Sequence, residues 1–304
     1  MEAFTLHILG VGSALPTLRH NPSAQALSMR GKIFIIDCGE GCQLSLRRSR
    51  LSLSRIRAIF ISHLHGDHVF GLPGLLSTLS LLGRSGSLAI HGPVGIKHFV
   101  ECMGQIFWPD NPYQIEVYEH ESTTSQMIYE DASLRVTTLP LRHRLPTTGY
   151  LFEEKRPLRH LDKAAVDFYH VPIAAYRSIL AGEPYTTEEG THIPNSRLTK
   201  PGEPARKYAY VSDTAYHEAL VPLLQGVDLL YHEATYMQQD ASRATETWHS
   251  TAVDAATIAR KAAVHKLLLG HYSARYDDHT PLLKEAREVF PNTELASEGD
   301  NFEL

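Results

Sequence analysis

Seven consecutive residues constrain this chain more than anything else in it: Ser62-His63-Leu64-His65-Gly66-Asp67-His68. Three histidines and an aspartate follow directly on the apolar run Ile56 to Ser62, which reads as a strand. A strand would alternate these side chains between two faces, and a helix would scatter them. A glycine-containing loop at a strand end can turn His63, His65, Asp67 and His68 toward one point. Crowded imidazoles that all protonate repel one another unless a metal or carboxylates hold them. Imidazole and carboxylate suit zinc and related divalent ions. Four such groups exceed what one catalytic metal needs if a position is to stay open. Two adjacent metals account for them most economically.

The remaining ligands are sought at other strand ends, where α/β sheets place their sites. His143 follows the apolar run Leu134 to Leu139, Asp213 follows Tyr208 to Ser212, and His271 follows Lys266 to Gly270. The expected sets are His63, His65 and His143 for one metal and Asp67, His68 and His271 for the other, with Asp213 bridging.

Further strands are expected at Leu6 to Gly12, Lys32 to Asp37, Ser87 to His91, Ile115 to Tyr118 and Val227 to His232. Helices are expected at Leu44 to Arg50, Phe70 to Leu82, Val94 to Met103, Thr251 to Ala263 and Pro281 to Val289, with Pro73 in a first turn and Thr251 as an N-cap. Strand, polar loop and helix recur, which argues for a layered α/β domain. No internal sequence repeat is evident. Residues 153–207 break the rhythm with six prolines and many charges, and read as an insertion with a helix near Ile173 to Leu180.

Composition narrows the class. The 304 residues include 18 histidines, only three cysteines, and a net charge of -5. A disulfide scaffold and a cysteine-rich zinc module are excluded, and a reducing, cytoplasmic setting is expected. No apolar run is long enough for a membrane span. Met1 to Gly10 carries Glu2 and His7 and does not read as a signal peptide. A polyanionic partner would have to be held by local patches or metal rather than by the global charge. Candidate patches are Arg47, Arg48, Arg50, Arg55 and Arg57 near the histidine loop, Arg142 and Arg144 around His143, and Lys155, Arg156, Arg159, Lys163, Arg197, Lys200, Arg206 and Lys207 in the insertion.

The loop Ser62 to His68 resembles the HxHxDH motif of the metallo-β-lactamase superfamily. Further segments resemble the tRNase Z family, in order along nearly the whole chain: Gly10 to Ala14, Asp37 to Gln43, Phe70 to Leu76, Tyr210 to Thr214, His232-Glu233-Ala234-Thr235, His249-Ser250-Thr251 and Leu269 to Ser273. The resemblance implies a four-layer αββα sandwich over residues 1–304, with residues 153–207 as a protruding tRNA-binding arm. It implies a zinc endoribonuclease that removes the 3′ trailer from precursor tRNA, working as a homodimer with two zinc ions per subunit. Mn2+ or Fe2+ suit the same donors. It assigns proton acceptance to Asp67, and points to His249, oriented by Glu233, as donor to the leaving 3′ oxygen. One departure stands out: in Pro16 to Asn21, Leu18 and His20 stand where bacterial members often carry basic residues. Competing expectations are a binuclear hydrolase of small phosphodiesters and a non-catalytic, metal-stabilised RNA-binding module.

Overall fold

The computed structural model describes residues 4–155, 159–202 and 204–304. Met1, Glu2 and Arg156, named above, and one of the six prolines, Pro157, lie outside the described residues. The chain first lays down β1 (Phe4–Gly10), β2 (Ala24–Met29), β3 (Lys32–Cys38), β4 (Ile56–Phe60), β5 (Leu88–Pro93) and β6 (Ile115–His120). Between them run α1 (Cys42–Arg48), the single turn α2 (Gly66–Val69), α3 (Leu72–Leu81) and α4 (Ile96–Phe107). A second series follows: β7 (Met127–Glu130), β8 (Leu134–Pro140) and β9 (Thr148–Glu154). The insertion holds β10 (Arg159–Leu161), α5 (Lys163–Phe168), α6 (Tyr176–Leu180), β11 (Tyr185–Thr186), β12 (His192–Ile193), α7 (Asn195–Leu198) and β13 (Thr199–Pro201). Then come β14 (Lys207–Val211), β15 (Leu229–Glu233), α8 (Ala241–Thr247), α9 (Ala252–Lys261), β16 (Lys266–Gly270), α10 (Thr280–Val289), β17 (Thr293–Leu295) and β18 (Asn301–Glu303).

Two seven-stranded sheets result, ordered β18-β1-β2-β3-β4-β5-β6 and β7-β8-β9-β14-β15-β16-β17. Read in those directions, each has three antiparallel pairings followed by three parallel ones. The two halves therefore share one architecture that no repeat in the sequence announces. The layers follow from alternation along each strand. Phe34, Ile36 and Phe60 face the second sheet and meet Tyr150, Phe152, Tyr208 and Tyr210. Ile33, Ile35 and Ile59 face the other way, onto Leu46 of α1, Leu75 and Leu79 of α3 and Val100 of α4. The alanine-rich face of α9 and Leu282 of α10 cover the outer side of the second sheet. The four-layer αββα sandwich expected from the sequence is what forms. Thr251 caps α9 in a capping box with Asp254, and Pro73 sits in the first turn of α3, both as expected.

In the two sheets, strands β2, β7, β9, β17 and β18 were not anticipated. The insertion between β9 and β14 has its own small core of Val166, Val171, Ile179, Ile193 and Leu198. Among the described residues no helix is long and apolar enough to cross a membrane.

Candidate metal centre

The parallel strands of both sheets end at one edge of the sandwich. There β4 runs out into Ser62 and His63, β14 into Ser212 and Asp213, and β16 into His271, while His143 lies in the turn between β8 and β9. The histidine loop is not all loop. His63 lies past the end of β4 and His65 is extended, whereas Asp67 and His68 sit on the one-turn helix α2. That turn is seated by close backbone approach: the Gly71 N–H donates to the Cys38 carbonyl at 2.8 Å. A Cβ at Gly71 would collide with the Gly39 carbonyl, and one at Gly39 with the Asp67 carbonyl. Glycine is required at both positions.

All seven expected ligands are brought together, in two groups. Asp213 Oδ2 lies 3.6 Å from His63 Nε2 and 3.8 Å from His143 Nε2. His65 Nδ1 completes that group, 2.8 Å from His63 Nε2 and 3.4 Å from His143 Nε2. The other oxygen, Asp213 Oδ1, lies 3.4 Å from His68 Nε2 and 3.2 Å from His271 Nε2. Asp67 Oδ2 closes the second group at 3.5 Å and 3.7 Å from those two nitrogens. A tetrahedral ion with bonds of about 2.0–2.1 Å separates its ligands by roughly 3.4 Å. The donor spacings match such a cage on either side of Asp213.

The donors also fit a cation in their protonation. His68 Nδ1 lies 2.7 Å from Asp37 Oδ2 and donates to it, leaving Nε2 as a lone pair. Asp37 is wholly buried and also accepts from the Ser62 N–H and O–H and from the Tyr210 O–H. His143 Nδ1 donates to the Trp248 carbonyl at 2.9 Å. Thr235 Oγ1 donates to Glu233 Oε2 at 2.6 Å, so it accepts from His271 Nδ1 at 2.9 Å. In each case the outer nitrogen is tied down and the inner one is free to ligate, the usual orientation of metal-binding histidines. His68 Nε2 and His271 Nε2 are buried without a hydrogen-bond partner. Burial, reinforced by neighbouring imidazoles, lowers the pKa of His63, and burial also lowers His65 and His143, so these three are neutral donors. Burial also opposes charge on His68, yet Asp213, Asp67 and Asp37 together raise it well above the usual imidazole range. Three carboxylates in one buried pocket call for positive charge, which divalent ions supply.

Beside the cage, His249 Nδ1 donates to Glu233 Oε1 at 2.8 Å, and its ring stacks on His271 at 5.5 Å. Burial works against the imidazolium, but the charge and hydrogen bond of Glu233 overcome it and raise His249 to about 9. Glu233 is fully buried, which would raise its own pKa, but His249 holds it below the usual carboxylate value. Its oxygens also accept from the Thr214 N–H and the Thr235 N–H.

A cavity of about 670 Å3 opens above these groups, lined among others by Asp67, His143, Arg144, Arg243, His249 and Arg275. The candidate arginine patch from Arg47 to Arg57 does not line this cavity. Arg55 and Arg57 stand at the start of β4, and the extended strand carries the chain away at about 3.3 Å per residue. Arg50 and Arg55 line a different cavity, with His7, Arg30 and Lys32. Of the arginines singled out, only Arg144 lines the centre, while Arg243 and Arg275 had not been picked out. Asp37 and Thr235 likewise carried no assigned role. Both lie in segments that carry the family resemblance, Asp37 to Gln43 and His232 to Thr235, but no feature of the sequence singles them out there.

Comparisons with known proteins bear on the family and the fold. The chain is 53% identical over all 304 residues to a ribonuclease Z of Porphyromonas gingivalis, covering 100% of both chains. It is 52% identical to a ribonuclease Z of Parabacteroides distasonis, over 98% of each. The crystal structure of human tRNase Z, short form, superposes with a TM-score of 0.71 at 27% identity, covering 98% of both chains. The metallo-β-lactamase fold protein YhfI of Bacillus subtilis superposes at 0.70 with 18% identity, over 99% of this chain and 100% of that one, a likeness of fold alone. A family profile described as anti-Pycsar protein Apyc1 matches residues 4–89.

Proposed function

Since the chain belongs to the ribonuclease Z family and is a tRNA 3′-processing endonuclease, we propose that it removes the 3′ trailer from precursor tRNA at the centre described above. The products would be a 3′-hydroxyl on the tRNA and a 5′-phosphate on the trailer. The observation that carries the reading is the pair of donor cages sharing Asp213, with His249 held charged beside them.

His63, His65, His143 and Asp213 would hold one divalent ion, and Asp67, His68 and His271, with the other oxygen of Asp213, the second. When bound, such ions bring water's pKa down to about 7 and offset charge on the phosphoryl oxygens. Zinc is the ion we favour, with Mn2+ and Fe2+ suited to the same donors. Asp67, fixed by the Ala14 N–H at 2.7 Å, accepts the proton of the attacking water. His249 enters the reaction protonated at neutral pH and delivers its proton to the departing 3′ oxygen. Glu233 keeps it charged and aimed. Arg144, Arg243 and Arg275 offer phosphate contacts around the scissile bond.

Residues 153–207 are the proposed tRNA-binding arm, supported by a small core of their own and by exposed Lys163, Arg197 and Lys200. The family resemblance supports a homodimer in which one subunit's arm serves its partner's centre. Three free cysteines are in keeping with a cytoplasmic setting.

The test is cleavage of a precursor tRNA with a labelled 3′ trailer, after chelation and after metal is added back. Trailer release should vanish with the chelator and return with the metal. Reconstituted protein that hydrolyses bis(p-nitrophenyl) phosphate but leaves the precursor intact would favour a small-phosphodiester hydrolase instead.

A further inference from the structure

Phe70 breaks the pattern of its surroundings. Val69 and Leu72, in the same apolar run, are buried, yet Phe70 is 67% exposed and faces the cavity above the metal cages. Its ring edge lies against Gly66, where any Cβ would collide with ring atoms. The glycine of the histidine loop thus makes room for an aromatic ring beside the ligands and holds it in place.

The cavity has two unlike walls. Loops from the first sheet contribute Leu15, Pro16, Glu40 and Phe70, with no arginine or lysine. Loops from the second sheet contribute Arg144, Arg243 and Arg275 together with His249. A nucleic acid crossing this cavity meets cations for its phosphates on one side and an open ring face on the other. Bases of every kind stack on such a face.

We propose that Phe70 is a stacking platform for the base of the first trailer nucleotide, and that this fixes which way the substrate crosses the centre. The inference rests on the proposed role of His249. The oxygen that His249 protonates is the 3′ oxygen of the tRNA body, so the body lies on the His249 wall. The P–O3′ bond breaks as water attacks, so the trailer keeps the phosphate on its 5′ oxygen and runs from the phosphorus toward the wall that Phe70 occupies. Stacking there is indifferent to base identity, as an enzyme that meets many trailers requires.

The experiment measures kcat/KM on three precursors: intact, abasic at the first trailer nucleotide, and abasic at the last retained nucleotide. Wild type should disfavour the first abasic precursor by about 5- to 150-fold, the worth of one base–aromatic stack. In Phe70→Ala and Phe70→Leu that ratio should fall to near 1, whereas Phe70→Tyr should keep it. Because the ratio is internal to each variant, general damage to the enzyme cancels. A wild-type ratio retained in Phe70→Ala, or coupling of Phe70 to the last retained nucleotide instead, would overturn the assignment. Failure of wild type to cut any precursor would instead sink the proposed function, so the two failures are told apart.

Discussion

Asp37→Asn is the sharpest probe of how the centre is built. Asp37 Oδ1 accepts the Ser62 N–H at 2.7 Å. Its Oδ2 accepts the Ser62 O–H at 2.8 Å, the His68 Nδ1–H at 2.7 Å and the Tyr210 O–H at 2.6 Å. Asparagine has nearly the same shape but one acceptor oxygen. If that oxygen takes the three-donor position, the new amide faces the Ser62 N–H and strands a buried donor, at about 1–3 kcal/mol. In the opposite orientation the amide faces three donors. His68 then moves its proton to Nε2, the atom aimed at the metals. Loss of such an orienting partner typically weakens metal binding 10–100-fold, which is about 1.4–2.8 kcal/mol. The measurement is competition for the metal against a chromogenic chelator, alongside precursor cleavage as free metal is raised. Weaker binding with activity regained at high metal is the expected outcome. An Asp37→Asn protein that binds metal as tightly as wild type would refute the orienting role, whatever its activity.

Other expectations are more compact. His249→Ala should lower kcat about 10²–10⁴-fold with metal content unchanged by elemental analysis; parallel loss of metal would make His249 structural. Glu233→Gln removes the charge that holds His249 at about 9. The rate needs protonated His249 and falls as pH rises through its pKa, so the alkaline limb should move to lower pH; a stationary limb assigns that titration to another group. Arg243→Ala should raise KM on precursor tRNA and flatten its salt dependence by about one unit of slope, and an unchanged slope would remove Arg243 from phosphate contact. His91 is buried between the rings of Phe60 and Tyr118, both ring nitrogens lacking partners, and burial holds it at about 4. A base depressed in the folded state leaves the unfolded chain binding more protons between about pH 6.5 and 4, so its stability contribution is lost as pH falls through that window. At pH 5 the loss is about 2 kcal/mol. His91→Phe should be near neutral at pH 7 in urea denaturation and shed that acid loss; an unaltered acid slope would show that His91 does not stay neutral.

The candidate metal ligands could be picked out from the chain because clustering is itself a signal. Four ligand-type groups packed into six positions would repel or strand one another in a fold that did not bring them to a cation, and the distant three each follow an apolar strand. Their partners could not be read in the same way. Asp37 acquires its meaning from Tyr210, which is 173 residues away in the other sheet. Thr235 matters because one hydroxyl joins Glu233 to His271. Strand β2, Ala-Gln-Ala-Leu-Ser-Met, carries weak intrinsic strand preference and owes its conformation to pairing on both sides. The arginine run lies off the cavity for a geometric reason: proximity in sequence to His63 is undone by the length of β4. Arg243 and Arg275 are isolated in the sequence and gain a common purpose only where α8 and the loop after β16 approach the same cavity.

The split of the ligands between the two sheets has a consequence during synthesis. His63 to His68 emerge early, but neither cage can close until His143 and Asp213 are made, and the second waits for His271, close to the end of the chain. Each candidate cage therefore forms only where residues from both sheets meet, so assembly of the site depends on the two halves docking.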